Sequence, residues 1–243
     1  MNMTEMNMSL CGPAQQEIHS ELTVMQRMLQ LDNARVLELG CGAAEKTRQI
    51  AERTGVSAVV AAEVDAIQHE KNLSLSDLPK VTFKTYGAEQ IREDDGSFDI
   101  VMMFKSLHHV SGEQMDTALQ EMHRVLQEGG CAYISEPVYA GTFNEIMRLF
   151  HDEEAVRREA FDALARAVDS GLFEIEDEYF FKNVITLQSW EQYEHGILNV
   201  SHTDHQLSAE ILAEVKARFL ACRSHEGFVF EIPNRVDLLR KSS

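Results

Sequence analysis

The chain has 243 residues, 44% of them apolar, and 22 Lys and Arg against 40 Asp and Glu give a formal net charge of −18. That acidic balance argues against nucleic acid as a partner, which needs clustered basic surface, and favours a small or cationic substrate. The longest apolar runs, "VSAVVAA" and "FDIVMMF", are too short to span a bilayer, so no membrane partner is expected. Cys11, Cys41, Cys131 and Cys222 lack both CxxC spacing and the density of a disulfide framework. The opening "MNMTEMNMSLCGP" does not read as a secretory leader, and a cytoplasmic setting is expected.

In chain order, "GPAQQEIHSELTVMQRMLQL" predicts a helix, with Pro13 near its start and Ile18, Leu22, Met25, Met28 and Leu29 as its apolar face. From Ala34 to about Pro137, short apolar runs then alternate with amphipathic stretches. "ARVLEL", "SAVVAAE", "VTFKTY", "FDIVMMF" and "CAYISEP" read as strands, with helices between them. The helix before "CAYISEP" has Met115, Leu119, Met122 and Leu126 on one face and Gly129-Gly130 as a stop. Such alternation predicts right-handed crossovers and a parallel sheet covered on both faces. Beyond it, residues 142–170 read as helical, "LFEIEDEYFFKNVITL" as a long strand, and "SWEQYEHGIL" and "SAEILAEVKARFLA" as helices. "GFVFEIPNRVDLLRK" reads as a final strand. Together these predict an α/β Rossmann-like, doubly wound fold with a mostly parallel seven-stranded sheet and an antiparallel edge strand.

The stretch "VLELGCGAAEKTRQIAE" is a strand, a glycine turn and a helix start. Gly40 and Gly42 let the backbone turn tightly and approach a ligand at the strand end. A dinucleotide fingerprint wants a glycine three residues after the second, and Glu45 stands there. No Gly-Lys-Ser/Thr follows either, so a Walker loop is excluded. Glu38 before the turn favours a cationic ligand, and Glu63 at the end of the next strand suits two ribose hydroxyls. A ligand with a ribose, a positive charge and no phosphate satisfies both.

On these residues the stretch from about Ala34 to Pro137 resembles the class I S-adenosylmethionine-dependent methyltransferases of the small-molecule type. "VLELGCGAA" resembles the family's glycine loop, "VVAAEVD" its ribose-binding strand, "YGAEQIREDDGSFDIVMMFKSLHHV" the adenine-wrapping stretch and fourth strand, and "ALQEMHRVLQEGGCAYISEP" the segment that follows. The resemblance implies S-adenosyl-L-methionine as cofactor, held by Glu38, Gly40, Gly42, Glu63, Ala88, Glu89 and Phe104. Two departures stand out. Ala44 replaces the third glycine, and Gly87 stands where the family often has an acid for the adenine amine. Adenine then relies on the backbone of Ala88, on Glu89 or on packing.

Methyl transfer needs alignment and exclusion of water, with a general base only for some acceptors. His108 and His109 in "FKSLHHV" are the candidates for that base, and Tyr139 and Glu145 for the acceptor side. Each has a structural alternative, such as a helix cap or a solvated face. No metal is expected: the place of a catechol-type acidic cluster holds Phe104-Lys105, and His195, His202 and His205 read as a polar loop. Residues 1–30 are expected to form an N-terminal helical lid. Residues 31–243 then make the methyltransferase domain, with a helical elaboration at about 138–225. The expected activity is transfer of a methyl group to an N, O or S nucleophile of a small molecule. A non-methylating use of the same cofactor and a catalytically silent cofactor-binding module are the alternatives.

Overall fold

A computed structural model of the chain describes residues 8–198 and 207–242. Elements follow in the order β1 (Glu17–Ile18), α1 (Glu21–Met28), β2 (Arg35–Leu39), α2 (Glu45–Arg53), β3 (Ala58–Ala62), α3 (Ala66–Leu73) and β4 (Val81–Lys84). Next come β5 (Phe98–Phe104), α4 (Gly112–Val125), β6 (Leu126–Pro137), α5 (Thr142–Met147), α6 (Glu154–Asp169) and β7 (Phe173–Leu187). The remainder is α7 (Trp190–Tyr193), continued by a π-helical turn over Glu194–Leu198, then α8 (Ala209–Ala221), β8 (Arg223–Ser224) and β9 (Gly227–Lys241).

The sheet runs β1-β7-β9-β6-β5-β2-β3-β4, with β8 paired to β9. Among the described residues it has nine strands where seven were expected. The two extra ones, β1 and β8, are two-residue pairings too short to leave a signal in the sequence. The strands β4, β3, β2, β5 and β6 are mutually parallel, and β9 runs antiparallel to both β6 and β7.

Strand parity explains the continuous apolar runs, since a sheet covered on both faces needs apolar side chains on both. Leu37, Leu39, Val60, Val101 and Met103 pack with Met115, Leu119 and Met122 of α4 and Leu164 of α6. Val36, Val59, Ile100 and Met102 pack on the other face with Val24 and Met25 of α1 and Ile50 of α2. A third cluster holds Trp190, Tyr193, Val215, Phe219, Phe228 and Phe230, so the late aromatics build a core of their own.

Two local expectations are corrected. The first helix begins at Glu21, capped by Ser20, whose hydroxyl accepts from the Thr23 N–H. Pro13 lies in the irregular stretch before it, and Ile18 is paired in β1, 54% exposed. The helix α4 ends at Val125, four residues before the glycines, because Leu126 already pairs with Phe98. Gly129 (φ +72°) and Gly130 instead mark the irregularity through which β6 re-registers from Leu126 to Cys131. Residues 1–7 of the expected lid lie outside the described residues; α1 contributes Val24 and Met25, both fully buried, to the core.

Candidate active site

Parallel strands gather their C-terminal ends at one edge of the sheet, and there a cavity of about 760 Å³ opens beyond β2, β3 and β5. The glycine turn forms one wall. Gly40 has φ +70°, and a Cβ there would stand 2.7 Å from the Ser106 Cβ; the Ser106 hydroxyl itself donates to the Leu39 carbonyl. Gly42 has φ +51° and open space where a side chain would be, so its backbone faces the cavity directly. Ala44 is also left-handed, at φ +61°. That conformation costs about 1–2 kcal/mol for a non-glycine residue. The lower unfolded-state entropy of alanine returns about 0.4–1 kcal/mol, and its methyl group is buried. Alanine in place of the third glycine therefore leaves a net cost of up to about 1.6 kcal/mol, which the fold bears.

Glu63 follows β3, 8% exposed, with one carboxylate oxygen accepting from the Gly42 N–H at 2.7 Å and the other from the Asp65 N–H at 2.9 Å. These bonds fix the carboxylate at the cavity wall while leaving each oxygen a further lone pair for a hydroxyl. Glu38 sits in β2, 2% exposed, and accepts from the Thr47 hydroxyl at 2.6 Å. Burial pushes its pKa up to about 7, against the Thr47 hydrogen bond and the charge of Lys46. It is not part of the cavity lining but lies behind the turn.

Tyr86, Gly87, Ala88 and Glu89 form the opposite wall. A side chain at position 87 would fall on the Glu89 carboxylate. The acid missing at 87 is thus replaced in space by one two residues on. Phe104 does not reach the cavity: it lies on the other face of β5, against Tyr133 at 5.7 Å between ring centroids, while Met103 and Lys105 face the ligand side. Strand parity separates them. Lys105 has φ +54° and opens into the cavity, yet protein crowds its ammonium closely enough that desolvation lowers its pKa.

The two histidines separate. His109 lines the cavity, and desolvation followed by the charge of His108 lowers its pKa. His108 is 4% exposed, with Nδ1 bonded to Glu136 and Nε2 3.6 Å from Glu153. Burial opposes its protonation, but the Glu136 bond and charge, then those of Glu153, outweigh it and raise the pKa to about 9. Near neutral pH it is an imidazolium with no lone pair to offer a substrate. Glu136 also accepts from the Leu107 N–H at 2.9 Å, and Glu153 binds Arg157 at 2.6 Å.

Tyr139 and Glu145 are not brought to the cavity. Tyr139 donates to Asp152 at 2.8 Å, and Glu145 is exposed, 3.5 Å from Arg148. Sequence reasoning missed Tyr86, Gln114 and His151 on the lining, and Glu153 behind the histidines, because they come from loops and helices far from the glycine turn. His202 and His205 lie outside the described residues.

A Rossmann-like sheet with a left-handed glycine turn, an acid after the second strand of the parallel set and no phosphate loop defines a nucleoside-binding α/β protein. Residues 36–130 match the family model described as a methyltransferase domain, and in that stretch and in its fold the chain is similar to the class I S-adenosylmethionine-dependent methyltransferases. The cofactor of that family fits the residues present: the turn leaves room for close backbone approach, and the Glu63 carboxylate is fixed on the cavity wall with lone pairs to spare. Methyltransferase GfsG of Streptomyces halstedii is 30% identical over 118 residues, 46% of this chain and 41% of that protein. The chain spans about half the length of the curated relatives it matches, between 41% and 52%. Among solved structures, a methyltransferase-like protein of Bacillus halodurans superposes with a TM-score of 0.64 at 16% identity, covering 93% of this chain and 100% of that one. The YcgJ protein of Bacillus subtilis superposes with a TM-score of 0.63 at 17% identity, covering 91% and 98%. At those identities the likeness is one of fold.

Proposed function

We propose that the protein transfers a methyl group from S-adenosylmethionine to an N, O or S nucleophile of a small molecule in the cytoplasm. The observation that carries this reading is Glu63, pinned by the Gly42 and Asp65 N–H groups on the wall of a cavity shared with Gly40, Ala88 and Glu89. When bound, the cofactor supplies a methyl group already activated on a sulfonium. The chain has then to bind, orient and exclude water. Glu63 grips the ribose, Glu89 reaches the adenine amine, and the partly ionised Glu38 favours the cationic methionine end. Lys105, His109 and His151 present polar groups at the other end of the cavity, where the acceptor enters. The cavity volume of about 760 Å³ and the charge of −18 support a small acceptor over a nucleic acid.

Calorimetric titration with S-adenosylmethionine and S-adenosylhomocysteine tests the cofactor site. Micromolar-range binding, weakened at least about tenfold in Glu63→Ala, is the expected result, since hydrogen bonds to a charged group contribute about 1.5–3 kcal/mol each. Absence of binding by the folded protein would overturn the reading. Formation of S-adenosylhomocysteine with a methylated product then separates methyl transfer from other uses of the cofactor.

A further inference from the structure

Next to the acceptor end of the cavity, the ligand-capable atoms of His108, His109 and Glu153 all lie within 4.8 Å of one another. We propose that these three side chains bind one divalent first-row transition ion of the zinc kind, leaving a fourth position open. Each residue brings an independent argument. His108 is buried with its Nδ1 fixed by Glu136, which turns Nε2 toward Glu153. A metal-binding histidine almost always has its second nitrogen held by a carboxylate or carbonyl in this way. Glu153 has one oxygen 2.9 Å from the His151 Nε2, while Arg157 holds the other. His109 is exposed on the cavity side, its ring centroid 4.1 Å from that of His108.

The donor set selects the ion. Imidazole nitrogens with a single carboxylate suit zinc and its neighbours, whereas magnesium and calcium call for oxygen ligands. Bonds of about 2.0–2.1 Å put tetrahedral neighbours about 3.4 Å apart, so the cluster has to contract by about 1.4 Å at its widest. Rotation of the exposed His109 covers most of that. Binding displaces the Nε2 proton of His108, as metal sites require. Within the cluster, Glu136, Glu153 and Arg157 then carry one net negative charge and the ion two positive. The remaining positive charge is neutralised by an anionic oxygen at the open position, a hydroxide or an ionised acceptor. The inference does not depend on the methyltransferase reading, because it needs only the cluster.

The test uses the full chain, freed of metal with a chelator and titrated with Co²⁺ alone. The expected result is a visible d–d band of a four-coordinate nitrogen–oxygen site, saturating at about one ion per chain and displaced by Zn²⁺. His109→Ala and Glu153→Gln, with unchanged circular dichroism, should each weaken it at least about tenfold. A His202→Ala/His205→Ala double variant should keep it. The absence of a band, its persistence in both His109→Ala and Glu153→Gln, or its loss in the double variant overturns the proposal. Affinity for S-adenosylhomocysteine in the metal-free protein reports separately on the cofactor site.

Discussion

Glu38 carries a carboxylate almost without access to water, satisfied by one hydroxyl. Its folded pKa of about 7 stands above the ordinary value of 4.5, so folding favours its protonated form. That stabilisation is fully present below pH 4.5 and is lost as pH rises toward 7, a swing of about 3 kcal/mol at 1.36 kcal/mol per unit. Glu38→Gln should therefore gain urea stability over the native chain at about pH 8 and lose the advantage near pH 4.5. Equal differences at both pH values would contradict this account. Glu89 offers a second residue-scale test. Its carboxylate fills the space that glycine leaves at position 87. Glu89→Ala should weaken S-adenosylhomocysteine about tenfold, one hydrogen bond to a charged group, and adding Gly87→Asp should restore most of it. A double variant as weak as the single one would remove Glu89 from the adenine site. Gly40, Gly42 and Glu63, which line the cavity, were legible in the sequence because each belongs to the glycine turn or follows an apolar run, whereas Glu38 lies behind the turn. Phe104 was misplaced by one residue of strand parity: Met103 and Lys105 are the ones that share the ligand side.

At the scale of elements, the alternation from Ala34 to Pro137 was readable because each buried strand is a continuous apolar run and each helix has one apolar face. The limits of α4 were not readable. Gly129-Gly130 has the chemistry of a helix stop, but the helix gives way earlier because pairing of Leu126 with Phe98 competes for the same backbone. Gly130 then sits where a Cβ would come within 2.9 Å of the Asp99 carbonyl oxygen and 3.0 Å of that of Gln127. Gly130→Val should cost about 2 kcal/mol or more, in the range of overpacked sites, while Gly96→Val, with its nearest atom 3.8 Å away, meets only the strain of its φ of +62°. Chemical denaturation of the two variants checks the difference. The pairings behind the histidines were invisible for another reason. Glu136 and Glu153 come from β6 and the entry to α6, and only the fold brings them to His108.

The whole molecule carries 18 more acidic than basic residues. Such an excess repels itself most in the compact state. Raising ionic strength from about 0.01 to 0.15 M shortens the screening length from about 30 to 8 Å, and the melting temperature should rise by a few degrees. A fall would mean that the exposed ion pairs, among them Arg48–Asp77 and Arg124–Asp95, outweigh the repulsion.

The position of β9 has a consequence for how the molecule is assembled. It follows every other strand in the chain, yet it lies between β6 and β7 and supplies the pairing that ties β7, and through it β1, to the rest of the sheet. On a ribosome, the half that carries the glycine turn and most of the cavity wall can form its sheet as soon as β6 has emerged. β7 has to wait, with an unpaired edge and no place in the sheet, for some forty more residues and then for its neighbour. Folding of this chain is ordered in time by its topology, and the interval before β9 arrives is when a chaperone has most to cover.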